Sequence, residues 1–305
     1  MRLRTFLDID PKLIGVIGGG KRKPTSVVDV ALIQSLVRNG EVDDIVAGYG
    51  HLVVDECHHL SAVSFERVAR RAKARHVLGL SATVARKDGH HAIIFMQCGP
   101  VRHKVDARAH AAEGMVRHLV RERTTKFDLP AALATAERPP MPAVYAALAG
   151  DDARNDLIFD DVLHAIERKR SPLVLTERKD HLALVADRFS RFVKNVAVLS
   201  GGLSAAERKL VESVLAAPES EERLVIATGR YIGEGFDDSR LDTLFLTMPI
   251  SWKGTLAQYV GRLHRQHAGK TDVLVYDYVD AGVPVLARMA AKRRAGYRAL
   301  GYSLE

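Results

Sequence analysis

Two adjacent carboxylates near residue 55 are the part of the sequence best suited to carry chemistry. They are Asp55 and Glu56, and they follow the apolar run Leu52-Val53-Val54, which has the composition of a buried strand in a parallel sheet. One carboxylate can hold Mg²⁺, directly or through water, while its neighbour polarises a water molecule for attack on a phosphate. For the pair alone, a solvated strand end is the alternative, since many α/β proteins place an acid there.

A basic segment in the last quarter of the chain could supply the complementary positive charge. It extends from Gln258 to Arg265 and contains Gly261 and Arg262. If the segment is helical, Gln258, Gly261, Arg262 and Arg265 lie three or four residues apart and share one face. Two neighbouring guanidinium groups suit the charge that develops on a transferring phosphoryl group. A basic, solvated helix face is the alternative for this segment alone.

Both segments lie within a regular alternation of short apolar runs and helical patterns. Up to residue 104, the sequence predicts strands at 13–17, 27–33, 51–55 and 76–80 and a helix at 61–74. From residue 151, it predicts strands at 173–175, 196–199, 223–227, 241–246 and 272–278. It also predicts helices at 151–169, 180–193 and 204–217, the last with Ser204 as N-cap and Glu207 three residues later. This alternation is typical of parallel sheets, so we predict an α/β fold with two parallel-sheet domains.

Residues 105–150 interrupt the alternation, because they are rich in alanine, charge and proline and show no clear period. We predict a linker there, between a first domain at residues 1–104 and a second at 151–282. The remaining segment, 283–305, predicts a basic C-terminal helix. We interpret that helix as solvated in preference to a nucleic-acid contact.

Composition excludes several classes of protein. No apolar run in the 305 residues approaches the roughly 20 that cross a bilayer, so we expect no membrane partner. Two cysteines, Cys57 and Cys98, cannot form a disulfide framework, which favours a cytoplasmic location. Zinc ligands usually come in spaced pairs, so the run Cys57-His58-His59 does not indicate a zinc site. The formal net charge of +8 favours a polyanionic partner, most simply nucleic acid.

Four stretches resemble, in order, the motifs of superfamily 2 helicases and translocases of the DEAD/DEAH class. The resemblance is greatest to the branch with restriction-enzyme motor subunits and excision-repair helicases, and it covers residues from about 10 to 280. The stretches are Asp55-Glu56-Cys57-His58 (motif II), Ser81-Ala82-Thr83 (motif III), Ala227-Thr228 through Gly235-Phe236-Asp237 (motif V) and Gln258 to Arg265 (motif VI). Weaker matches are Leu175 to Arg178 for motif IV and Leu199 to Gly202 for the small motif after it.

The resemblance implies two tandem RecA-like domains, ATP and Mg²⁺ as cofactors, and nucleic acid, with DNA favoured, as the partner. Asp55 would bind Mg²⁺ and Glu56 would activate the hydrolytic water. The implied catalytic residues of motifs II and VI are His58, Gln258, Arg262 and Arg265, with Arg265 as the arginine finger. The residues implied to couple the ATP site to the nucleic-acid track are Ser81, Ala82 and Thr83. Those implied to face the nucleotide sugar are Gly235 and Asp237, and those implied to contact the nucleic acid are Thr228, Ser200, Gly201 and Arg178.

One expected motif of this family, a phosphate-binding loop of the form Gly-x-x-x-x-Gly-Lys-Ser/Thr before motif II, has only poor matches. Gly15 to Lys21 has the glycine and lysine spacing, but Arg22 replaces the hydroxyl residue and Pro24 would interrupt the helix that should follow. A second match, Gly269-Lys270-Thr271, follows motif VI. We interpret both as coincidental.

By this resemblance the first domain is incomplete, and the chain begins after the phosphate loop. We therefore expect a truncated motor that hydrolyses ATP poorly or not at all by itself, with an upstream domain or partner subunit as a candidate partner. The predicted function is ATP hydrolysis coupled to movement on nucleic acid. The alternative is a non-catalytic nucleic-acid-binding or regulatory protein that retains the same two domains without turnover.

Overall fold

The computed structural model describes residues 3–57, 62–81, 91–105, 116–135, 139–233, 236–250 and 253–305. The chain divides into two compact units, Met1–Lys104 and Val105–Glu305. Among the described residues, no helix is both long and apolar enough to span a membrane.

In its described residues, the first unit contains short strands and three α-helices. Its strands are β1 (Ile14–Gly18), β2 (Lys21–Lys23), β3 (Val28–Ala31), β4 (Val37–Arg38), β5 (Glu41–Val42), β6 (His51–Val54) and β7 (His76–Gly79). Its α-helices are α1 (Leu3–Leu7), α2 (Ala62–Arg71) and α3 (His91–Cys98), and 3-10 turns cover Pro11–Leu13, Ile33–Ser35 and Asp44–Gly48. Strand β1 is parallel to β3 and antiparallel to β2, β4 and β5 form an antiparallel pair, and β6 is parallel to β7. The predicted strands and helix of this unit are confirmed, with small shifts at their ends.

The second unit is built on one parallel sheet of seven strands. They are β8 (Arg117–Thr124), β9 (Pro172–Thr176), β10 (Val196–Leu199), β11 (Leu224–Thr228), β12 (Thr243–Leu246), β13 (Asp272–Val279) and β14 (Ser303–Leu304), in the order β10-β11-β9-β12-β13-β8-β14. The helices are α4 (Ala131–Ala134), α5 (Met141–Ala149), α6 (Asp152–Glu167), α7 (Lys179–Ser190), α8 (Ala205–Leu215), α9 (Gly229–Gly233), α10 (Lys253–Gly261) and α11 (Pro284–Ala299).

The sheet of the second unit is covered on both faces, which explains why its central strands are continuous apolar runs. Every residue of β9, β11 and β12 is buried, and side chains on the two faces belong to two separate hydrophobic clusters. The predicted start of α8 is also confirmed. Ser204 N donates to Glu207 Oε2 (2.7 Å) and Glu207 N donates to Ser204 Oγ (3.2 Å), which together form a capping box.

The prediction of a linker over residues 105–150 differs from the structure. Strand β8 lies inside this range and pairs with β13 along all eight residues, and α5 buries Val144 and Leu148 completely. The strand escaped prediction because its charged side chains are matched by partners distant in sequence. Arg123 Nε lies 2.9 Å from Asp161 Oδ2, and Arg294 Nη2 lies 2.9 Å from Glu122 Oε2. Without these partners, the charged residues give β8 the appearance of a solvated segment.

The prediction that the C-terminal helix is solvated is wrong for one face of α11. Arg293 is only 2% exposed, and its Nη2 lies 2.7 Å from Oδ1 of the buried Asp277 on β13. Leu286 and Tyr297 are buried beside it, whereas Lys292 on the opposite face is exposed. A guanidinium counted as surface charge in the sequence is therefore part of the core.

Candidate functional site

The two predicted catalytic carboxylates lie on a tight turn, Asp55-Glu56-Cys57, which we call the acid turn. It follows β6 directly, and Asp55 Oδ1 accepts a hydrogen bond from Glu56 N (2.9 Å). The turn is attached to the neighbouring strand, because Leu80 N donates to Val54 O (2.8 Å) and Cys57 N donates to Leu80 O (2.9 Å). Both carboxylates are therefore held at the carboxyl end of a short parallel pair of strands, as the sequence predicted.

Glu56 occupies a backbone conformation that is unfavourable for its residue type. Its φ is +47°, in the left-handed region, where a side chain with a Cβ costs about 1–2 kcal/mol. The conformation reverses the chain so that the buried Cys57 can bond to the end of β7. Strain of this kind at a strand end is characteristic of functional sites.

The acid turn fits Mg²⁺ in its donor chemistry. Asp55 is exposed and Glu56 is half-buried, and carboxylate oxygens are the ligands that Mg²⁺ prefers. Within the described ranges, no group of three or more His, Cys, Asp or Glu side chains could hold a metal ion. Mg²⁺ commonly keeps several waters and binds through one or two carboxylates together with a phosphate, and Asp55 is the side chain that would hold it.

Ser81 lies beside the acid turn, since it follows Leu80, whose carbonyl receives the bond from Cys57. The structure thus brings the first residue of the motif III match next to the motif II match. The other predicted residues of these motifs, His58, Ala82 and Thr83, lie outside the described residues, and so does Gly235.

The stretch that resembles a phosphate-binding loop forms a β-hairpin. Strands β1 and β2 pair antiparallel, with Gly18 opposite Lys21, and Gly19 and Gly20 have φ of +59° and +77°. Two successive positive φ angles are typical of a type I′ hairpin turn. A phosphate loop instead leads from a strand into a helix, so the geometry agrees with the interpretation that Gly15 to Lys21 is not such a loop.

In the second unit, the residues predicted to contact nucleic acid lie at one edge of the sheet. Ser200 and Gly201 directly follow β10, Thr228 ends β11, and Arg178 lies two residues beyond β9. These three strands are neighbours in the order β10-β11-β9, and Thr228 lies opposite Thr176 in the register. The carboxyl edge of an open α/β sheet is the usual position for ligands.

The four residues at this edge differ in accessibility. Gly201 is exposed and Ser200 is half-buried, whereas Thr228 is 9% exposed. Arg178 is engaged within the chain: Nε lies 2.9 Å from Asp180 Oδ1, Nη2 bonds Asp180 Oδ2, and Nη1 lies 3.4 Å from Pro142 O. Any contact of Arg178 with a phosphate would therefore compete with Asp180.

The prediction that one helical face carries Gln258, Arg262 and Arg265 is wrong, because α10 ends at Gly261. After that residue, the chain makes tighter turns in which Arg262 N bonds Tyr259 O (3.2 Å) and Leu263 N bonds Val260 O (2.9 Å). Leu263, which lies within these tighter turns, is completely buried. Gln258 is thus helical, whereas the two arginines lie on the turn that follows.

Arg265 and Asp237 form an ion pair that unites the motif V and motif VI matches. Arg265 Nε lies 3.0 Å from Asp237 Oδ1, and the arginine side chain is still 54% exposed. The sequence predicted Asp237 as a contact to the nucleotide sugar and Arg265 as a contact to phosphate. The structure places the two side chains together and leaves part of the guanidinium accessible to an anion.

Sequence reasoning missed a contact that joins three motif matches. Tyr259 Oη donates to Glu177 Oε1 (2.8 Å), and burial, followed by the charge of Glu177, raises the pKa of Tyr259. Burial also raises the pKa of Glu177, although the hydrogen bond from Tyr259 opposes this effect. A Cβ on Gly229 would lie 1.9 Å from Tyr259 Oη and 2.4 Å from Glu177 Oε1, so a larger residue there would displace these two side chains.

One family model and several known proteins are similar to this chain. A family model described as "Type III restriction enzyme, res subunit" matches residues 3–86. A predicted ATP-dependent RNA helicase of Acanthamoeba polyphaga mimivirus is 23% identical over 283 residues, which is 90% of this chain and 52% of that protein. The probable helicase of Escherichia phage T5 is also 23% identical, over 98% of this chain and 63% of that protein. The chain therefore spans about half to two thirds of the length of these relatives.

Solved structures share the fold. A fragment of an HsdR-type subunit of a type I restriction enzyme from Vibrio vulnificus has a TM-score of 0.67 at 16% identity, over 99% of this chain and 56% of that one. Dbp5 of S. cerevisiae, bound to RNA and ADP BeF3, has a TM-score of 0.60 at 12% identity, over 99% of this chain and 72% of that one. The predicted α/β fold is confirmed.

Proposed function

We propose that this chain, a member of superfamily 2 of the helicases, is the ATP-hydrolysing core of a motor that moves on nucleic acid, with DNA as the favoured track. The observation that carries the proposal is the acid turn, in which Asp55 and Glu56 are held next to Ser81 by the bond from Cys57 N to Leu80 O (2.9 Å). Two carboxylates at a strained strand end have the chemistry that phosphoryl transfer to water needs.

In this proposal, the two carboxylates have different tasks. Asp55 holds Mg²⁺, which when bound neutralises charge on the ATP phosphates. Glu56 orients the attacking water and accepts its proton. Its left-handed φ turns the chain out of the path that a regular strand would follow, and Ser81 directly follows Leu80, whose carbonyl oxygen accepts the bond from Cys57 N.

The arginines of the second unit serve the charge on the transferring phosphate. Arg265, which is already desolvated on one side by Asp237 at 3.0 Å, is the candidate for the arginine finger, and Arg262 assists it. A guanidinium in a fixed orientation loses less entropy when it meets a phosphate than a free one does. Gln258, on the last turns of α10, completes the set.

The carboxyl edge of the sheet in the second unit is the proposed track for nucleic acid. Ser200, Gly201 and Thr228 offer hydroxyl and main-chain groups at the ends of neighbouring strands, and Arg178 adds charge. Such groups contact the phosphate backbone and not the bases, so we expect binding that is independent of sequence and weakened by salt.

A non-catalytic nucleic-acid-binding protein is the second candidate, and one observation favours it. The only stretch before the acid turn with the glycine and lysine spacing of a phosphate loop, Gly15 to Lys21, is a hairpin. For the same reason, we expect ATP turnover by this chain to be slow under the first proposal.

Binding of fluorescent single-stranded DNA in a salt titration, with and without a non-hydrolysable ATP analogue and Mg²⁺, separates the two candidates. A motor core changes its DNA affinity when the nucleotide binds, because the two sites are thermodynamically linked. Salt-sensitive binding that is indifferent to nucleotide would support the non-catalytic candidate. Arg265→Ala should remove the nucleotide effect, whereas the control Arg191→Ala, an exposed arginine paired with Asp187 on α7, should retain it.

A further inference from the structure

The ammonium group of Lys270 lies in a ring of four main-chain carbonyl oxygens. Nζ is 2.9 Å from Ser239 O, 2.7 Å from Leu241 O, 2.9 Å from Leu263 O and 2.9 Å from Arg265 O. An ammonium group has three donors, so all three are used and at least one is shared between two acceptors. We call this arrangement the carbonyl ring.

The carbonyl ring is formed by two separate segments of the second unit. Leu263 and Arg265 belong to the turn after α10, where carbonyls beyond a helix end lack helical partners and carry partial negative charge. Ser239 and Leu241 belong to the connection of residues 236–242, which leads into β12. Lys270 itself precedes β13, so it reaches both segments from a third element.

The same two segments are joined by the ion pair between Arg265 and Asp237. The connection is also anchored on its other side. Arg223, with a side chain only 1% exposed, lies 2.7 Å from Asp238 Oδ2, and Arg240 Nη1 donates to Ala217 O (2.7 Å). Because the connection is fixed in this way, attaching the turn to the connection also fixes the turn.

We propose that Lys270 is a positioning residue: its ammonium group acts as a tethered cation that holds the turn bearing Arg265 against the segment bearing Asp237. The part of this inference that concerns catalysis rests on the proposed function, whereas the tethered cation itself does not. A compact ammonium fits a ring of four oxygens, while the planar fork of an arginine does not.

The environment of Lys270 agrees with a charged group that is held by dipoles. Burial lowers the pKa of Lys270, and the carboxylates of Asp242 and Asp238 oppose that effect. An uncharged amine would have only two N–H donors and would turn a lone pair towards a carbonyl oxygen. The four contacts therefore require the protonated form.

The carbonyl ring predicts that a free cation can replace the ammonium group that Lys270→Ala removes. Lys270→Ala removes the ammonium and leaves four oxygens around a space of the same size. Backbone carbonyl oxygens replace the hydration shell of small monovalent cations elsewhere, so free ammonium should enter this space. Tetramethylammonium has no N–H donor and is too large, and it supplies a matched salt at equal ionic strength.

The first test is thermal unfolding of the full chain in ammonium chloride and in tetramethylammonium chloride. We expect the Tm of Lys270→Ala to be roughly 2–4 °C higher in ammonium chloride than in tetramethylammonium chloride. We expect no such difference between the two salts for the wild type. The control is Lys194→Ala, since Lys194 is 76% exposed and pairs with Glu221 at 3.4 Å. Equal ammonium effects in Lys270→Ala, Lys194→Ala and the wild type would overturn the proposal.

The second test measures ATP hydrolysis of Lys270→Ala in the same two salts. Positioning of Arg265 predicts that ammonium raises kcat by about tenfold or less while KM changes little, because Arg265 acts on the transition state. If the wild type hydrolyses ATP, and ammonium restores the Tm of Lys270→Ala but not its kcat, the positioning role is overturned. If the wild type hydrolyses no ATP, the proposed function fails, and the Tm test still decides whether the cation is tethered.

A measurement on the wild type covers the case in which Lys270→Ala does not fold. Amine-specific labelling followed by mass spectrometry should modify Lys270 at least about tenfold more slowly than the exposed Lys194, since the ammonium must leave four acceptors before it reacts. Equal labelling rates of the two lysines would overturn the proposal.

Discussion

The phenol oxygen of Tyr259 lies 2.8 Å from Oε1 of Glu177, and the pair covers the Cα of Gly229. Tyr259 is on α10, Glu177 follows β9 and Gly229 follows β11, so a single hydrogen bond joins three of the motif matches. The bond lies on the carboxyl side of the sheet in the second unit, next to Thr228. A Cβ at Gly229, the first residue of α9, would displace the atoms that make this bond.

Gly229→Ala should destabilise the second unit by about 1–3 kcal/mol, because the new Cβ would overlap Tyr259 Oη and force the ring to move. Tyr259→Phe removes that oxygen, so the double variant should lose less than the two single losses together. Urea unfolding of the wild type, the two single variants and the double variant measures the coupling free energy between positions 229 and 259. Gly150→Ala is the control, since a Cβ there would meet its nearest neighbour at 3.6 Å. Strictly additive losses would contradict the contact.

Glu56→Gly should be more stable than Glu56→Ala by about 1 kcal/mol, which is the reverse of the usual order inside regular structure. The reason is the φ of +47° at this position, which glycine adopts without steric cost. Thermal unfolding of the first unit provides the measurement. The control pair is Glu66→Gly and Glu66→Ala on α2, for which alanine should be the more stable residue. The same order at both sites would argue against strain at the acid turn.

Stability should increase as the pH rises from about 4 to about 6.5, because of the buried His181. Its Nδ1 lies 2.9 Å from Thr176 Oγ1 and its Nε2 lies 3.0 Å from Asn155 Oδ1. Burial, followed by the positive charge of Arg154, lowers the pKa of His181 to about 4. The unfolded chain, with an ordinary histidine pKa near 6.5, therefore binds more protons in this window, and folding is favoured as the pH rises.

The full effect of His181 is about 3 kcal/mol, gained between these two pKa values and constant above the upper one. Urea unfolding at a series of pH values measures the slope for the wild type and for His181→Gln. The variant should lose the part of the slope that belongs to His181. His164→Gln, which alters a largely exposed histidine on α6, should retain it. An unchanged slope in His181→Gln would show that the imidazole titrates normally in the folded chain.

Arg293→Met should destabilise the second unit by about 3–5 kcal/mol, because it leaves the carboxylate of Asp277 buried without its partner. Replacing both residues, as in Arg293→Met with Asp277→Leu, should recover much of the loss, since an apolar pair avoids the desolvation of two charges. Denaturant unfolding checks both variants. If Arg293→Met alone were neutral, α11 would be solvated, as the sequence had suggested.

The parts of the fold that the sequence predicts correctly are those whose local pattern agrees with their environment. The buried runs of β9 and β11 show the composition expected at covered positions. The run before Asp55 forms the predicted strand, but the prediction that it is buried is wrong, because β6 alternates between exposed and half-buried residues and Val53 is 53% exposed. Ser204 and Glu207 form a local capping box that needs no distant partner. Strand β8 was missed because its stabilising partners, Asp161 and Arg294, are far away in sequence.

In the candidate site, too, the features with a local sequence pattern could be predicted and the others could not. Asp55, Glu56 and Ser81 could be placed together because parallel strands end at one edge. The positions of Arg262 and Arg265 could not, since helical spacing continues through Gly261 in the sequence while α10 ends there. Lys270 was noticed only as part of a coincidental match. Its contacts are to main-chain oxygens, which carry no sequence signal.

ATP hydrolysis by the purified chain, with and without single-stranded DNA, tests the central claim most directly. We predict slow hydrolysis that DNA stimulates and that Glu56→Gln abolishes, because that variant keeps the shape of the side chain but cannot accept a proton. Glu66→Gln, which alters a partly exposed carboxylate of the same unit, should hydrolyse ATP at the wild-type rate. Hydrolysis that is unchanged in Glu56→Gln would contradict the assignment of the acid turn as a catalytic site, and complete absence of hydrolysis from the folded wild-type chain with DNA present would favour the non-catalytic candidate.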